Sequence, residues 1–155
     1  MSILFISLAF IFVTISFICI SRRLGSRKIG ATGKAVLVTG CSTGIGRGIA
    51  LHLARQGFVV FATVRKQQDA ESLEKEGLKN LVPVCPLDLS DKETIASAVG
   101  FIKTELARRG IEGLWACVNN AGGGWLCPME VIDTERFRRE FATRIFGPLD
   151  LVSAL

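Results

Sequence analysis

Hydrophobic positions along the chain fall into two patterns. The first is a single block. Ile3 to Ile20 is an 18-residue run of Ile, Leu, Phe, Val, Ala and Cys with a few Ser and Thr and no charge. As a helix rising about 1.5 Å per residue it would be about 27 Å long, close to the hydrocarbon thickness of an endoplasmic-reticulum bilayer. The second pattern begins after Lys34, where short apolar runs alternate with longer polar or amphipathic stretches. Ala35–Thr39 (AVLVT), Phe58–Val64 (FVVFATV), Leu81–Cys85 (LVPVC) and Leu114–Val118 (LWACV) have the continuous apolar character of strands buried on both faces. Between them, Gly44–Gln56 predicts a helix with Ile45, Ile49, Leu53 and Ala54 along one side and Gly57 as its stop. Gln68–Glu76 predicts a polar helix. Asp91–Arg109 predicts a long one, capped by Ser90 or Asp91 with Glu93 available for a capping box. A last helix spans Thr134–Leu155, with Phe137, Phe141, Ile145 and Leu149 at spacing four and Asp133 or Thr134 as its cap.

Strict alternation of strand and helix predicts an α/β domain built on a parallel sheet with right-handed crossovers. The expected architecture is Rossmann-like and doubly wound, incomplete at four strands, in the order 3-2-1-4. In such a sheet the ligand crevice opens at the carboxyl ends of strands 1 and 4, where the order reverses. Three segments therefore follow: a transmembrane anchor at 1–21, a basic linker at 22–33 and the nucleotide-binding domain at 34–155.

The segment Thr39-Gly-Cys-Ser-Thr-Gly-Ile-Gly46 leaves the first strand and opens the first helix at that crevice. Glycine permits a sharp exit from the strand and a close backbone approach to a pyrophosphate. The N–H groups and dipole of the helix N-terminus then hold the anion. Gly40, Gly44 and Gly46 supply the turn, Ser42 and Thr43 can add hydroxyl donors, and Ile45 belongs to the same loop.

Charge changes the picture at the N-terminus. The formal net charge is +5, and Arg22, Arg23, Arg27 and Lys28 follow the apolar run directly, while only Met1 and Ser2 precede it. A cleavable signal peptide would carry its basic residues ahead of the apolar stretch. The positive-inside rule predicts an uncleaved single-pass anchor, with a translocated N-terminus and a domain facing the cytosol, at the endoplasmic reticulum. Elsewhere basic residues alternate with acidic ones, which argues against nucleic acid. The cysteines at 19, 41, 85, 117 and 127 form no CxxC pair, and Cys85 and Cys117 fall in strands expected to be buried; reduced thiols are predicted, with no zinc site. His52 reads as a structural helix residue, and Trp125 as packing or the edge of a substrate mouth.

Thr39–Gly46 (TGxxxGIG), Asp88-Leu89 after the third strand and Asn119-Asn120-Ala121-Gly122 (NNAG) after the fourth occur in the order found in the short-chain dehydrogenase/reductase family, classical type. The chain resembles that family over about residues 33–155, and with its anchor is similar to members acting on steroids, retinoids and hydroxy acids. The resemblance implies a nicotinamide dinucleotide as cofactor. It implies contacts from the glycine loop, from Asp88 and Leu89 at the adenine, and from Asn120, Ala121 and Gly122 at the sheet and cofactor ribose. Strand two ends in Arg65 with no acid nearby, so Arg65 can pair bidentately with a 2′-phosphate. The expectation is NADP, with NAD still open.

The resemblance also exposes departures. Family chemistry uses a tyrosine acid/base, a lysine four residues on and a serine that polarises the carbonyl. This chain contains no tyrosine. Arg144, in Phe141-Ala-Thr-Arg-Ile-Phe-Gly147, stands where the family usually has an asparagine. The sequence therefore predicts an oxidoreductase moving hydride between NADP(H) and a lipophilic alcohol or ketone, with the chain as given lacking turnover. The alternatives are a non-catalytic, membrane-anchored nucleotide-binding or interaction protein and a truncated product.

Overall fold

The structure, a computed structural model, describes residues 13–18, 29–124 and 127–155. The chain divides into two compact units, Met1–Gly30 and Ala31–Leu155. In the first, residues 13–18 are helical. The rest of the expected anchor, Arg22 to Lys28 and Cys19 lie outside the described residues, as does Trp125. Among the described residues no helix is long and apolar enough to cross a membrane.

The second unit is a four-stranded parallel sheet. Its strands are β1 (Ala35–Val38), β2 (Val59–Thr63), β3 (Leu81–Val84) and β4 (Leu114–Val118), in the order β3-β2-β1-β4. Helices α1 (Gly44–Arg55), α2 (Gln67–Glu74) and α3 (Lys92–Arg108) connect them. Beyond β4 come a short 3₁₀ turn (Met129–Val131), α4 (Thr134–Phe141), a π turn (Ala142–Phe146) and α5 (Gly147–Ala154).

Side chains alternate across each strand, so every strand feeds two cores. Val36 and Val38 of β1 and Val60 and Ala62 of β2 pack with Ala50 and Ala54 of α1 and Leu73 of α2. Ala35, Leu37 and Phe61 point the other way, onto Ile95, Val99, Ile102 and Leu106 of α3 and Leu151 of α5. Helices thus cover both faces, as the alternation predicts.

Three expectations need correction. The buried line of α1 is Gly46, Ala50 and Ala54, while Ile45 is 77% exposed. Small residues let the helix lie close to the sheet, which pushes the larger Ile45 toward the crevice. The fourth strand is not deeply buried: Trp115 is 50% exposed and Cys117 half-buried. β4 pairs with β1 alone, and the register slips between Ala35 and Val36, so Trp115 has no partner across the ladder. Its ring instead tilts against Phe58 at 6.2 Å, with the Lys34 Nζ 5.3 Å from its centre. Cys85 falls just past β3 and is likewise half-buried.

The third correction concerns the last helix. It is one continuous path but not one regular α-helix. Pro148 has no N–H to give to the preceding turn and its ring crowds the carbonyl four residues back, so the ladder widens into the π turn. Phe137, Phe141, Ile145 and Leu149 then lie on an exposed side, and Gly147 and Leu151 face the core. Gly147 allows α5 to touch the chain after β3: a Cβ there would run into the Leu89 carbonyl.

Candidate dinucleotide site at the end of β1

Leaving β1, the chain turns at Gly40, whose φ of 72° favours glycine. A Cβ at Gly40 would also stand 2.8 Å from the Ala121 Cα. The loop after β4 is therefore pressed against the loop after β1. Hydrogen bonds lock the two together. The buried Thr39 Oγ1 accepts the N–H groups of Asn120 (3.0 Å) and Ala121 (2.9 Å) and donates to the Val118 carbonyl (3.4 Å). The Asn120 Nδ2 donates back to the carbonyls of Thr39 (3.0 Å) and Gly40 (3.3 Å). Gly46 completes the joint, because a Cβ there would collide with the Gly40 carbonyl and the Asn120 Nδ2.

α1 begins at this joint. Its N-cap, Thr43, is extended and makes no side-chain capping bond, and no acid stands in the first turn. The positive end of the helix and its first N–H groups are thus uncompensated by the chain's own side chains, which suits an anion. Gly44, at φ 61°, carries the backbone into the helix.

A cavity of about 360 Å³ opens here, within the range of small-molecule sites, about 300–1,000 Å³. Gly40, Ser42, Thr43 and Ile45 line it from the first loop, and Arg65, Asp88 and Leu89 from the ends of β2 and β3. Asn120, Ala121 and Gly122 line it from the end of β4. The expected site residues thus converge on one crevice. Gly44 and Gly46 stand outside its wall, one shaping the turn and the other the joint behind it.

Asp88 is held from below. The Ser90 amide (2.9 Å) and hydroxyl (2.6 Å) both donate to its Oδ1. Those bonds, the Ser90 hydroxyl's first, and the nearby positive Arg65 keep the Asp88 carboxyl below its ordinary range. Thr94 fixes the backbone: its hydroxyl accepts the Asp88 N–H (3.1 Å) and sits 2.9 Å from the Asp88 carbonyl. Asp91 is the α3 cap and accepts the Glu93 N–H at 2.9 Å, so the residue three past the cap is Thr94, bonded to Asp88, rather than Glu93. Cys41, though inside the glycine loop, is buried with its thiol on the Val38 carbonyl (3.1 Å), and burial pushes its pKa up to about 12. It is an inert packing residue. His52 is exposed on α1, away from the cavity wall.

Thr63, Val64, Leu87, Gly123 and Thr143 also line the cavity and were not expected. Thr63 and Val64 end the strand beside β1, so their topological position alone could have nominated them. Thr143 had no such signal; it reaches the cavity from within the π turn. Arg144, the next residue, does not line the cavity; its stem lies against Gly122, and its head pairs with Glu140 at 2.9 Å.

Comparisons with known proteins agree with this geometry. The family described as short chain dehydrogenase matches residues 34–155. Mouse estradiol 17-beta-dehydrogenase 2 is 36% identical over 129 residues, covering 78% of this chain and 32% of that protein. Mouse retinol dehydrogenase 5 is 31% identical over 121 residues, covering 77% of this chain and 37% of that protein. The crystal structure of NADPH-bound carbonyl reductase from chicken fatty liver superposes with a TM-score of 0.70 at 33% identity, over 78% of this chain and 46% of that one. The chain spans 32% to 42% of the length of curated relatives such as these. It belongs to the short-chain dehydrogenase/reductase family of oxidoreductases.

Proposed function

We propose that this chain forms the dinucleotide-binding part of a membrane-anchored oxidoreductase that prefers NADP(H) and acts on a lipophilic alcohol or ketone. The observation that carries the reading is the joint between the loops after β1 and β4, with the uncapped N-terminus of α1 beside it and Arg65 across the cavity. The residues fit the group. The α1 N-terminus with Ser42 and Thr43 would hold the pyrophosphate, and Arg65 the 2′-phosphate. Asp88 and Leu89 would border the adenine, and Asn120, Ala121 and Gly122 the ribose nearer the chemistry. When bound, the nicotinamide supplies the hydride donor or acceptor. The protein's own contribution here is to bind and orient; the 155 residues contain no tyrosine to move the accompanying proton. As it stands the chain is therefore expected to bind the dinucleotide without turning over, which a purified sample catalysing NADPH-dependent carbonyl reduction would disprove.

Support for NADP(H) comes from Arg65 and from the likeness to an NADPH-bound carbonyl reductase. Support for a lipophilic substrate comes from relatives named for estradiol and retinol and from the apolar run Ile3–Ile20. That run, with Arg22 to Lys28 after it, is read as a single-pass anchor at the endoplasmic reticulum with the domain on the cytosolic side. Calorimetric titration of the full chain in detergent tests the cofactor assignment. NADPH is expected to bind at least about tenfold tighter than NADH, and Arg65→Ala to erase the difference. Tighter binding of NADH would overturn it.

A further inference from the structure

The Asp88 carboxylate is held on one side only. Both of its hydrogen bonds land on Oδ1, and both come from Ser90, the amide at 2.9 Å and the hydroxyl at 2.6 Å. Among the described residues, Oδ2 accepts none. The main chain beneath is fixed as well. The Thr94 hydroxyl accepts the Asp88 N–H at 3.1 Å and lies 2.9 Å from the Asp88 carbonyl and 3.0 Å from that of Asp91. Asp88 lines the dinucleotide cavity, whereas Ser90 and Thr94 stand outside its wall. Two hydroxyls that touch no ligand thus keep one carboxylate from turning.

We propose that Ser90 and Thr94 are positioning residues that, by holding Asp88, make the site choose a 6-amino over a 6-oxo purine dinucleotide. An ionised carboxylate accepts hydrogen bonds and donates none. The 6-amino group of adenine offers it an N–H. Hypoxanthine sets an oxygen at that position and carries its N–H one ring atom away, at N1. A carboxylate free to rotate would reach that second N–H, whereas one pinned through Oδ1 faces the oxygen and is repelled by it. The pyrophosphate and 2′-phosphate are common to both ligands, so the α1 N-terminus and Arg65 do not enter the choice. This selectivity rests on the dinucleotide reading above, with Asp88 at the base, and adds the residues that make that contact discriminating.

Calorimetric titration of the full chain in detergent with NADPH and with its hypoxanthine analogue tests this. Wild type is expected to bind NADPH at least about tenfold tighter than the analogue, the scale of one charge-assisted contact. Ser90 is exposed, so its substitution leaves the core untouched. Ser90→Ala should shrink the ratio several-fold, because NADPH binds more weakly while the analogue binds as before or more tightly. Ser90→Thr, which keeps the hydroxyl, should restore the ratio. Thr94→Val should act in the same direction as Ser90→Ala. Asp88→Asn, whose amide donates as well as accepts, should bind the two ligands nearly alike. A merely structural role would weaken both ligands equally in Ser90→Ala, and that result would overturn the proposal. So would an unchanged ratio in Ser90→Ala, or a wild type that binds both ligands equally; in that last case the dinucleotide reading survives without it. Binding of neither ligand would instead remove the dinucleotide reading, and the selectivity with it.

Discussion

The joint between the loops after β1 and β4 and the stretch after residue 127 are built differently. On one side, Thr39, Gly40 and Gly46 meet Asn120 and Ala121 through bonds that join residues about eighty positions apart in the chain. No room remains there for a Cβ on Gly40 or Gly46. On the other side, the stretch after residue 127 is held mainly by neighbours in sequence, such as Arg144 with Glu140 and Arg138 with Glu135. Met129, Phe146 and Leu149 are 76%, 59% and 60% exposed. Its attachments to the rest of the domain are Gly147 against Leu89, Leu151 in the core and the Lys103 ammonium donating to the Ala154 carbonyl at 2.8 Å. The difference teaches that apolar character and structural commitment are separate properties. The polar, glycine-containing loop after β1 is tightly packed against its neighbour, and the phenylalanine-rich segment leaves much of its apolar surface exposed.

The largest effects should therefore fall on the joint. Gly46→Val is expected to cost on the order of 3 kcal/mol, because its side chain must displace the Gly40 carbonyl and the Asn120 amide together. Chemical denaturation would show it, and a loss under about 0.5 kcal/mol would mean that the joint is looser than described.

This asymmetry also explains what the sequence made legible. The placement of Gly40, Asp88 and Asn120 along one cavity, with Gly46 packed behind it, could be read because short motifs encode the local backbone geometry directly. The strand order followed from the alternation of elements for the same reason. The inward side of α1 was read in part: Ala54 is buried and Ile49 and Leu53 pack against the core, but close packing placed Gly46 and Ala50 at its centre and left Ile45 outside. The π turn was missed because a regular spacing of apolar residues in the last helix hid the effect of Pro148. Thr143 at the cavity wall was unreadable with it. The exposure of Trp115 depends on which strands flank β4, a tertiary matter to which LWACV is blind.

Smaller effects sharpen the contrast. Thr39→Val, which keeps the shape but removes the hydroxyl, should cost about 2 kcal/mol, since the Asn120 and Ala121 amides lose their shared acceptor. Comparison with wild type by thermal and urea unfolding would check it. Gly147→Ala tests a tight attachment on the other side and should cost about 1–3 kcal/mol through contact with Leu89. A neutral result would show that α5 is free to shift. Phe146→Ser, on the exposed face, should change stability by no more than about 0.5 kcal/mol; a large loss would reveal a hidden packing role.

The smallest expected effect lies on α3. Glu105 bonds Arg108 through two contacts of 2.7 Å and Arg109 at 2.6 Å, which together hold its carboxyl at about 2 instead of the ordinary 4.5. A carboxylate depressed in the folded state contributes stability above its unfolded value and loses it as pH falls toward the folded one. Wild type should thus lose a small increment between about pH 4.5 and 2 that Glu105→Gln lacks, a modest one because the pair is near solvent. Parallel unfolding curves for the two proteins across that range would contradict the assignment.

The central claim is that the joint after β1 and β4 is where a dinucleotide binds, and amide hydrogen exchange of the full chain with and without saturating NADPH tests it most directly. Protection should rise at residues 40–46, 63–65, 87–89 and 119–123, while residues 134–141 of α4 exchange as before. Exchange that is unchanged at the glycine loop, or slowed only in α4, would contradict the account.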